Sequence, residues 1–382
     1  MRHVNIALIG FGYRGRQLLR LMRTIDTFNV VGVADMNAAS AADALSCGEA
    51  FYGGETGYID MLDELHPDLV FITTPWHLHI PQAADCLRRH CHVALEIKGG
   101  LERGEYAPLM ALAESGGLKV YPLENTLFLR EILAVKRMAD EGVFGDIVYM
   151  RGGYRHDLRD ILVDEKGRLG GRTGTESVWR SRFYTHCNGD IYPTHGLAPL
   201  CMILGVGRSD RLAWLTSFAS KAVGLASHIR ELTGATPPHI TLGDVVSTQI
   251  ETAAGTLISL THDTTLPRPR SLDFEVEGTR GIWDGVNRRI YVEGMCESEE
   301  WTDDSAFVEK YESRYWQMWG ADALIHDRHH NGMDYIMLRA LADDMLGEIE
   351  YPATLVDLAM WTSVSVLSEE SIREHRRVAF DW

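Results

Sequence analysis

Several things are scarce in this chain. Its six cysteines, at 47, 86, 91, 187, 201 and 296, are scattered and form no CxxC pair. That leaves neither the usual spacing of a zinc site nor a disulfide framework. No apolar stretch reaches the ~18–20 residues of a membrane helix, so no membrane partner is expected. Basic residues are outnumbered, 37 Lys and Arg against 54 Asp and Glu, for a net charge of −17. Such a surface repels nucleic-acid phosphates; it leaves a neutral ligand such as a sugar open. The opening residues, MRHVNIALIGFG, enter a strand pattern at once. They lack the basic segment, apolar core and small-residue cleavage site of an export signal. The expected compartment is the cytoplasm. Repeats and low-complexity segments are absent.

What is present suffices for two domains with full cores: 382 residues, 45% of them hydrophobic. Residues 4–9, VNIALI, read as a buried parallel strand. They run into Gly10-Phe-Gly12-Tyr-Arg-Gly15, and RQLLRLMRTI follows with apolar residues at helical spacing. Strand, glycine turn and helix together predict a dinucleotide site. Gly10 serves the tight turn, Gly12 the approach of the pyrophosphate, Gly15 the packing of helix on strand, and the helix start faces the phosphates. The next strand, FNVVGVAD, ends at Asp35, twenty residues past Gly15. A carboxylate there binds both ribose hydroxyls and repels a 2′-phosphate, which favours NAD over NADP. The alternation continues through strands at 67–75, 91–97 and 118–125 with helical patterns between them. This predicts a doubly wound parallel sheet of Rossmann type, whose ligands lie beyond the carboxyl ends of its strands. Those ends supply Thr73, Thr74, Pro75, Trp76, His79, Glu96, Lys98, Glu124 and Asn125.

After residue 125 the rhythm changes. A helix pattern, REILAVKRMADEG, leads to the strand DIVYMRGGYRH and a long polar loop rich in Gly, Arg and Asp. Strand-like stretches follow at 210–218, 242–252, 256–264, 271–277 and 288–292, then helical patterns near the end. This predicts an open, mainly antiparallel sheet domain with helices. The expected division is 1–125 for cofactor binding and 126–382 for substrate binding and oligomerisation.

The motifs resemble the Gfo/Idh/MocA oxidoreductases along essentially the whole chain, and more closely the NAD-dependent branch of glycoside hydrolase family 109. GFGYRG, TPWHLH, LENTLF, EGVFGDI, GGYRH, VWR, GDIYPTHGLAP, HDTTLPRPRS and NGMDY carry the likeness. The resemblance implies that Tyr13, Arg14 and Asp35 touch the adenosine half of NAD. It places Trp76 to His79, Glu96, Ile97 and Asn125 on the nicotinamide side. Tyr154, Arg180, Tyr192 and His195 would face a sugar, and a homodimer or homotetramer is implied. Two positions depart from the pattern. Sugar dehydrogenases of the superfamily carry Glu-Lys-Pro, with lysine as acid/base; here the stretch is Glu96-Ile97-Lys98, and neighbours on an extended chain point to opposite sides. The branch also has a substrate-contacting tyrosine in PRPYS, where this chain has Arg270.

Oxidising a secondary alcohol needs a base for the hydroxyl proton and a cofactor for the hydride. Histidine suits the base role, its ordinary pKa of about 6.5 lying near working pH. His195, preceded by Asp190 and Tyr192, is the first candidate; alone it reads equally as a histidine at a buried helix start. Tyr154 is the second, to remove the hydrogen beside a sugar ketone, and Lys98 is the third. Arg180 and Arg270 offer forked donors to hydroxyls or a carboxylate. No metal is expected, because His262 with Asp263 and His329 with His330 lack a ligand spacing on a clear helix. The residues favour an NAD-dependent oxidoreductase acting on a secondary hydroxyl, at C3, of a sugar or glycoside. A redox-neutral NAD-dependent glycosidase uses the same residues, and a non-catalytic NAD-binding regulator is the third reading.

Overall fold

Six short runs build the first sheet: β1 (Val4–Ile9), β2 (Phe28–Asp35), β3 (Ala50–Gly53), β4 (Leu69–Ile72), β5 (His92–Leu95) and β6 (Val120–Pro122). They lie in the order β3-β2-β1-β4-β5-β6, and every pair is parallel. Helices cover both faces of such a sheet, so its central strands are largely apolar; the four residues of β4 are fully buried. This is the doubly wound sheet expected from the sequence. The half-exposed β3 has no buried run and escapes a reading by hydrophobic period. The computed structural model describes residues 3–45, 48–234 and 236–381; Cys47 lies outside them.

The second sheet has nine strands: β7 (Ile147–Arg155), β8 (Leu212–Ala219), β9 (Val245–Thr252), β10 (Leu257–Asp263), β11 (Glu275–Gly278), β12 (Gly281–Asp284), β13 (Arg289–Val292), β14 (Thr302–Asp303) and β15 (Val378–Ala379). Their order is β14-β13-β12-β11-β7-β10-β9-β8-β15. β7 and β10 pair in parallel, with Tyr154 opposite His262, and the other pairs are antiparallel. The expected open, mainly antiparallel sheet is therefore present. Alternation along β7 sends Met150, Gly152 and Tyr154 to one face, and the helix Thr194–Leu204 lies against it.

By packing, the residues up to Leu129 group with Arg314–Met360, and Arg130–Ser313 groups with the chain from Trp361 onward. The sequence boundary at 125/126 kept everything after it together, whereas Arg314–Met360 returns to the first unit. The reasons are contacts distant in sequence: Trp316 Nε1 donates to Phe128 O at 2.9 Å, and the Tyr351 hydroxyl to Pro122 O at 2.7 Å. Among the described residues, no helix is long and apolar enough to cross a membrane.

Candidate active site

In the first unit, the turn after β1 is held by close approach. Gly10 sits at φ 94°, and a Cβ there would stand 2.9 Å from the Thr73 carbonyl carbon. A Cβ on Gly15 would stand 2.1 Å from Gly10 O. Glycine is thus required at both positions. Gly12 differs, with no atom within 4 Å of the place its Cβ would take. It begins the helix Tyr13–Met22, which has no side-chain cap and no acid in its first turn. Open space at a helix start suits an anion. Asp35 accepts from Phe11 N at 2.5 Å and Asn37 N at 2.7 Å, one bond per oxygen, and each oxygen retains a lone pair for a ribose hydroxyl. Tyr13 is 82% exposed beside this turn.

The ends of β4 and β5 are braced from within. Thr74 Oγ1 donates to Gln82 at 2.6 Å, and Pro75 is the residue before the helix Trp76–Arg88. His79 is fully buried with Nε2 2.7 Å from Thr74 O. A carbonyl only accepts, so this nitrogen carries the proton. Burial pushes the His79 pKa down to about 4, so the ring is neutral at pH 7 and serves as a strut. Trp76 Nε1 donates to Ile97 O at 3.1 Å, and the Lys98 ammonium lies 5.2 Å from the Trp76 ring centroid.

Arg14 has a different setting from the adenosine contact that the resemblance implies. Its Nε donates to Glu96 at 2.8 Å, and its two terminal nitrogens to Asp334 at 2.6 and 2.8 Å. Asn125 Nδ2 donates to the same Asp334 at 2.9 Å, and His330 Nδ1 lies 2.5 Å from it. Burial alone would raise the Asp334 carboxyl; the Arg14 charge and the Arg14 and His330 hydrogen bonds outweigh it and hold it well below the usual range. For Glu96 burial prevails over Arg14, and its pKa is raised. Asn125 Oδ1 is buried without a hydrogen-bond partner, an acceptor free for an amide such as that of nicotinamide. Asp334 and His330 were missed as site residues, although NGMDY was singled out; nothing local ties position 334 to 14. Contrary to the expectation for this histidine pair, Asp327, His330 and Asp334 do bring ligand-type atoms within 4.8 Å. Arg14 already matches the Asp334 charge, and Asp327 Oδ2 accepts from Asp334 N at 2.9 Å, so the group reads as an ionic hub.

The second unit gathers the remaining candidates. Tyr154, near the end of β7, has its ring centroid 4.6 Å from Tyr192, 5.6 Å from His195, 6.1 Å from His156 and 6.4 Å from His262. The Tyr192 hydroxyl is 3.5 Å from His195 Nε2. The Arg180 guanidinium, on the helix Ser177–His186, stands 5.1 Å from the Tyr192 ring centroid and donates to Glu176 at 2.9 Å. Burial works against its charge, but Glu176 and the hydroxyls of Tyr154, Tyr184 and Tyr192 hold its pKa above the usual arginine value.

A seam of glycines brings His195 to Tyr154. A Cβ on Gly152 would stand 2.4 Å from Gly196 O, and one on Gly196 2.5 Å from Gly153 N. The helix Thr194–Leu204 therefore lies directly on the β7 backbone. Asp190 orders the approach to that helix: its carboxylate accepts from Tyr192 N at 3.1 Å, and its own N–H donates to Ser368 Oγ at 2.8 Å. One carboxylate oxygen of Asp190 thus braces the turn into the helix that carries His195. Arg270 is exposed. His156 and His262 join the cluster, the parallel β7–β10 register putting His262 opposite Tyr154.

Two family models match. One, for the oxidoreductase family with an NAD-binding Rossmann fold, matches residues 4–97. The other, for the glycosyl hydrolase 109 C-terminal domain, matches residues 128–380, the region holding Tyr154, Arg180, Tyr192 and His195. The chain belongs to glycosyl hydrolase family 109. One family 109 relative, the alpha-N-acetylgalactosaminidase of Tannerella forsythia, is 31% identical over 97% of this chain and 83% of its own. In fold, the chain resembles an NAD binding oxidoreductase from Klebsiella pneumoniae (TM-score 0.76, 18% identity, 100% and 99% of the two chains). It also resembles scyllo-inositol dehydrogenase from Lactobacillus casei, solved with NAD(H) and scyllo-inositol (TM-score 0.70, 13% identity, 99% of both chains). The first sheet of this family 109 chain is thus an NAD-binding Rossmann domain, and the glycine turn, the open helix start and Asp35 fit that cofactor.

Proposed function

We propose that this chain is a redox-neutral, NAD-dependent glycosidase. The observation that carries the reading is the grouping of Tyr154, Tyr192, His195 and Arg180 within the stretch that matches the family 109 C-terminal domain. Bound NAD supplies the capacity to take up a hydride and return it. His195 takes the proton of the sugar hydroxyl, at C3, as general base and later gives it back. A carbonyl at C3 acidifies the C2 hydrogen; Tyr154, in its phenolate form, removes that proton while the C1–oxygen bond breaks and the aglycone departs. Water then adds at C1 and Tyr154 returns a proton to C2, so the balance is hydrolysis alone. Arg180 and Tyr192 orient the hydroxyls. Lys98 is a lesser candidate for the acid/base work, because its ammonium is turned onto Trp76. The cofactor half of the reaction falls to the first unit and the substrate half to the second.

Family membership reverses the order that the sequence favours, which placed net oxidation first. Arg270 is the one feature that keeps net oxidation of a C3 hydroxyl as a second reading. A purely regulatory role accords poorly with a half-buried Tyr154 grouped with buried Tyr192, His195 and Arg180. A substrate-binding and oligomerising role for the second unit, a homodimer or homotetramer and a cytoplasmic location remain part of the proposal. The test incubates the purified protein with nitrophenyl glycosides and free sugars, with and without NAD. Aglycone release without accumulating NADH is expected. NADH formed in proportion to sugar, with no aglycone released, overturns the glycosidase in favour of the dehydrogenase.

A further inference from the structure

A second set of donors borders the tyrosine cluster, and the pairing of two chain segments places it. Arg155 and Ser271 form an antiparallel bridge, exchanging N–H···O bonds of 3.1 and 2.8 Å. Opposed residues in such a pair share a face, and the next residue on each strand turns to the other. Arg155 and Ser271 take one face, where both bond to Asp273. Arg270 and His156 accordingly leave on the opposite face, the side of Tyr154, whose ring is 6.1 Å from that of His156. Their proximity also shows electrostatically: the His156 pKa is lowered by burial first and then by the charges of Arg270 and Arg180, against Asp157 and Glu176.

The other arginines near these two strands have acidic partners. Arg155 and Arg268 share Asp263, Arg159 has Asp157 and Arg180 has Glu176. Arg270 is exposed and has neither a hydrogen bond nor an ion pair with the described residues, in a chain where acids outnumber bases 54 to 37. Beside it, His156 Nδ1 is buried without a hydrogen-bond partner. A forked guanidinium without a carboxylate next to an unmatched ring nitrogen is a receptor for a planar anion.

We propose that Arg270 and His156 bind a carboxylate on the substrate, making the preferred substrate a glycoside of a uronic acid instead of a neutral sugar. The inference rests on the glycosidase reading above. Arg270 holds both carboxylate oxygens, His156 adds one donor, and Tyr154 is left to face the ring carbons. Charged hydrogen bonds of this kind are worth on the order of 10–100-fold in discrimination.

The test measures kcat/KM for nitrophenyl uronides, the matching neutral glycosides and a 6-sulfated glycoside, with the wild type, Arg270→Gln and Arg270→Lys. The expected result is a uronide preference of tenfold or more in the wild type. The preference falls to near one in Arg270→Gln and is partly kept in Arg270→Lys. Equal or better turnover of neutral glycosides by the wild type overturns the proposal, as does a ratio unchanged in Arg270→Gln. A sulfate preferred over the carboxylate overturns it in favour of a sulfated sugar. If no glycoside releases its aglycone, the glycosidase reading fails, and binding decides this one separately. Quenching of bound-NADH fluorescence by methyl uronides in preference to methyl glycosides, lost in Arg270→Gln, upholds the carboxylate site; quenching without preference overturns it.

Discussion

His195 and Tyr154 are expected to act on protons, so their removal is predicted to spare the cofactor. His195→Ala and Tyr154→Phe should lower kcat by 10²–10⁴-fold, the range of general acid–base effects, with NAD affinity within about threefold of the wild type by fluorescence titration. Full activity in both variants contradicts the assignment. His79 makes a prediction about stability. Its pKa is about 4 in the folded chain and about 6.5 in an unfolded one. The unfolded chain therefore gains the proton first as pH falls, and stability is lost between about pH 6.5 and 4, by up to about 3 kcal/mol. Urea midpoints at pH 7 and 4.5 measure this. His79→Asn should flatten the slope by one proton, and an unchanged slope assigns the loss to other groups.

At the scale of elements, the seam between β7 and the helix Thr194–Leu204 matters most. Gly196→Ala would force a Cβ to 2.5 Å from Gly153 N. Overpacking there should cost about 1–3 kcal/mol and shift His195 away from Tyr154. Lower thermal stability together with lost turnover is expected; unchanged values of both would show that the seam has slack. The seam also marks how far sequence could be read. The β–α alternation and the spacing of Gly10, Gly12, Gly15 and Asp35 were legible, because each depends on neighbours within a strand, turn or helix. GGY and THGLAP were visible as motifs, but their contact joins residues more than forty apart and has no period. The same holds for Asp334 on Arg14 and for His262 beside Tyr154, which need a helix position and a strand register. Asp190 was visible beside His195 in the motif, but that its carboxylate accepts the Tyr192 N–H needed the turn geometry.

For the whole molecule, binding of NAD is linked to folding. At a hundred times its Kd the cofactor should add about 2.7 kcal/mol of stability, read as a rise in Tm. NADP at the same concentration should give a smaller rise, because Asp35 repels the 2′-phosphate; equal shifts would contradict that role. The return of Arg314–Met360 to the first unit puts Asp334 and His330 in the cofactor's unit, while Tyr154, Tyr192, His195 and Arg180 lie within the second. The central claim is that this division yields hydrolysis by oxidation and elimination. The most direct measurement is turnover of a nitrophenyl glycoside in D2O, with NMR of the released sugar and absorbance of NADH recorded together. The account predicts deuterium at C2 of the sugar and no accumulating NADH. Released sugar with protium at C2 would contradict it.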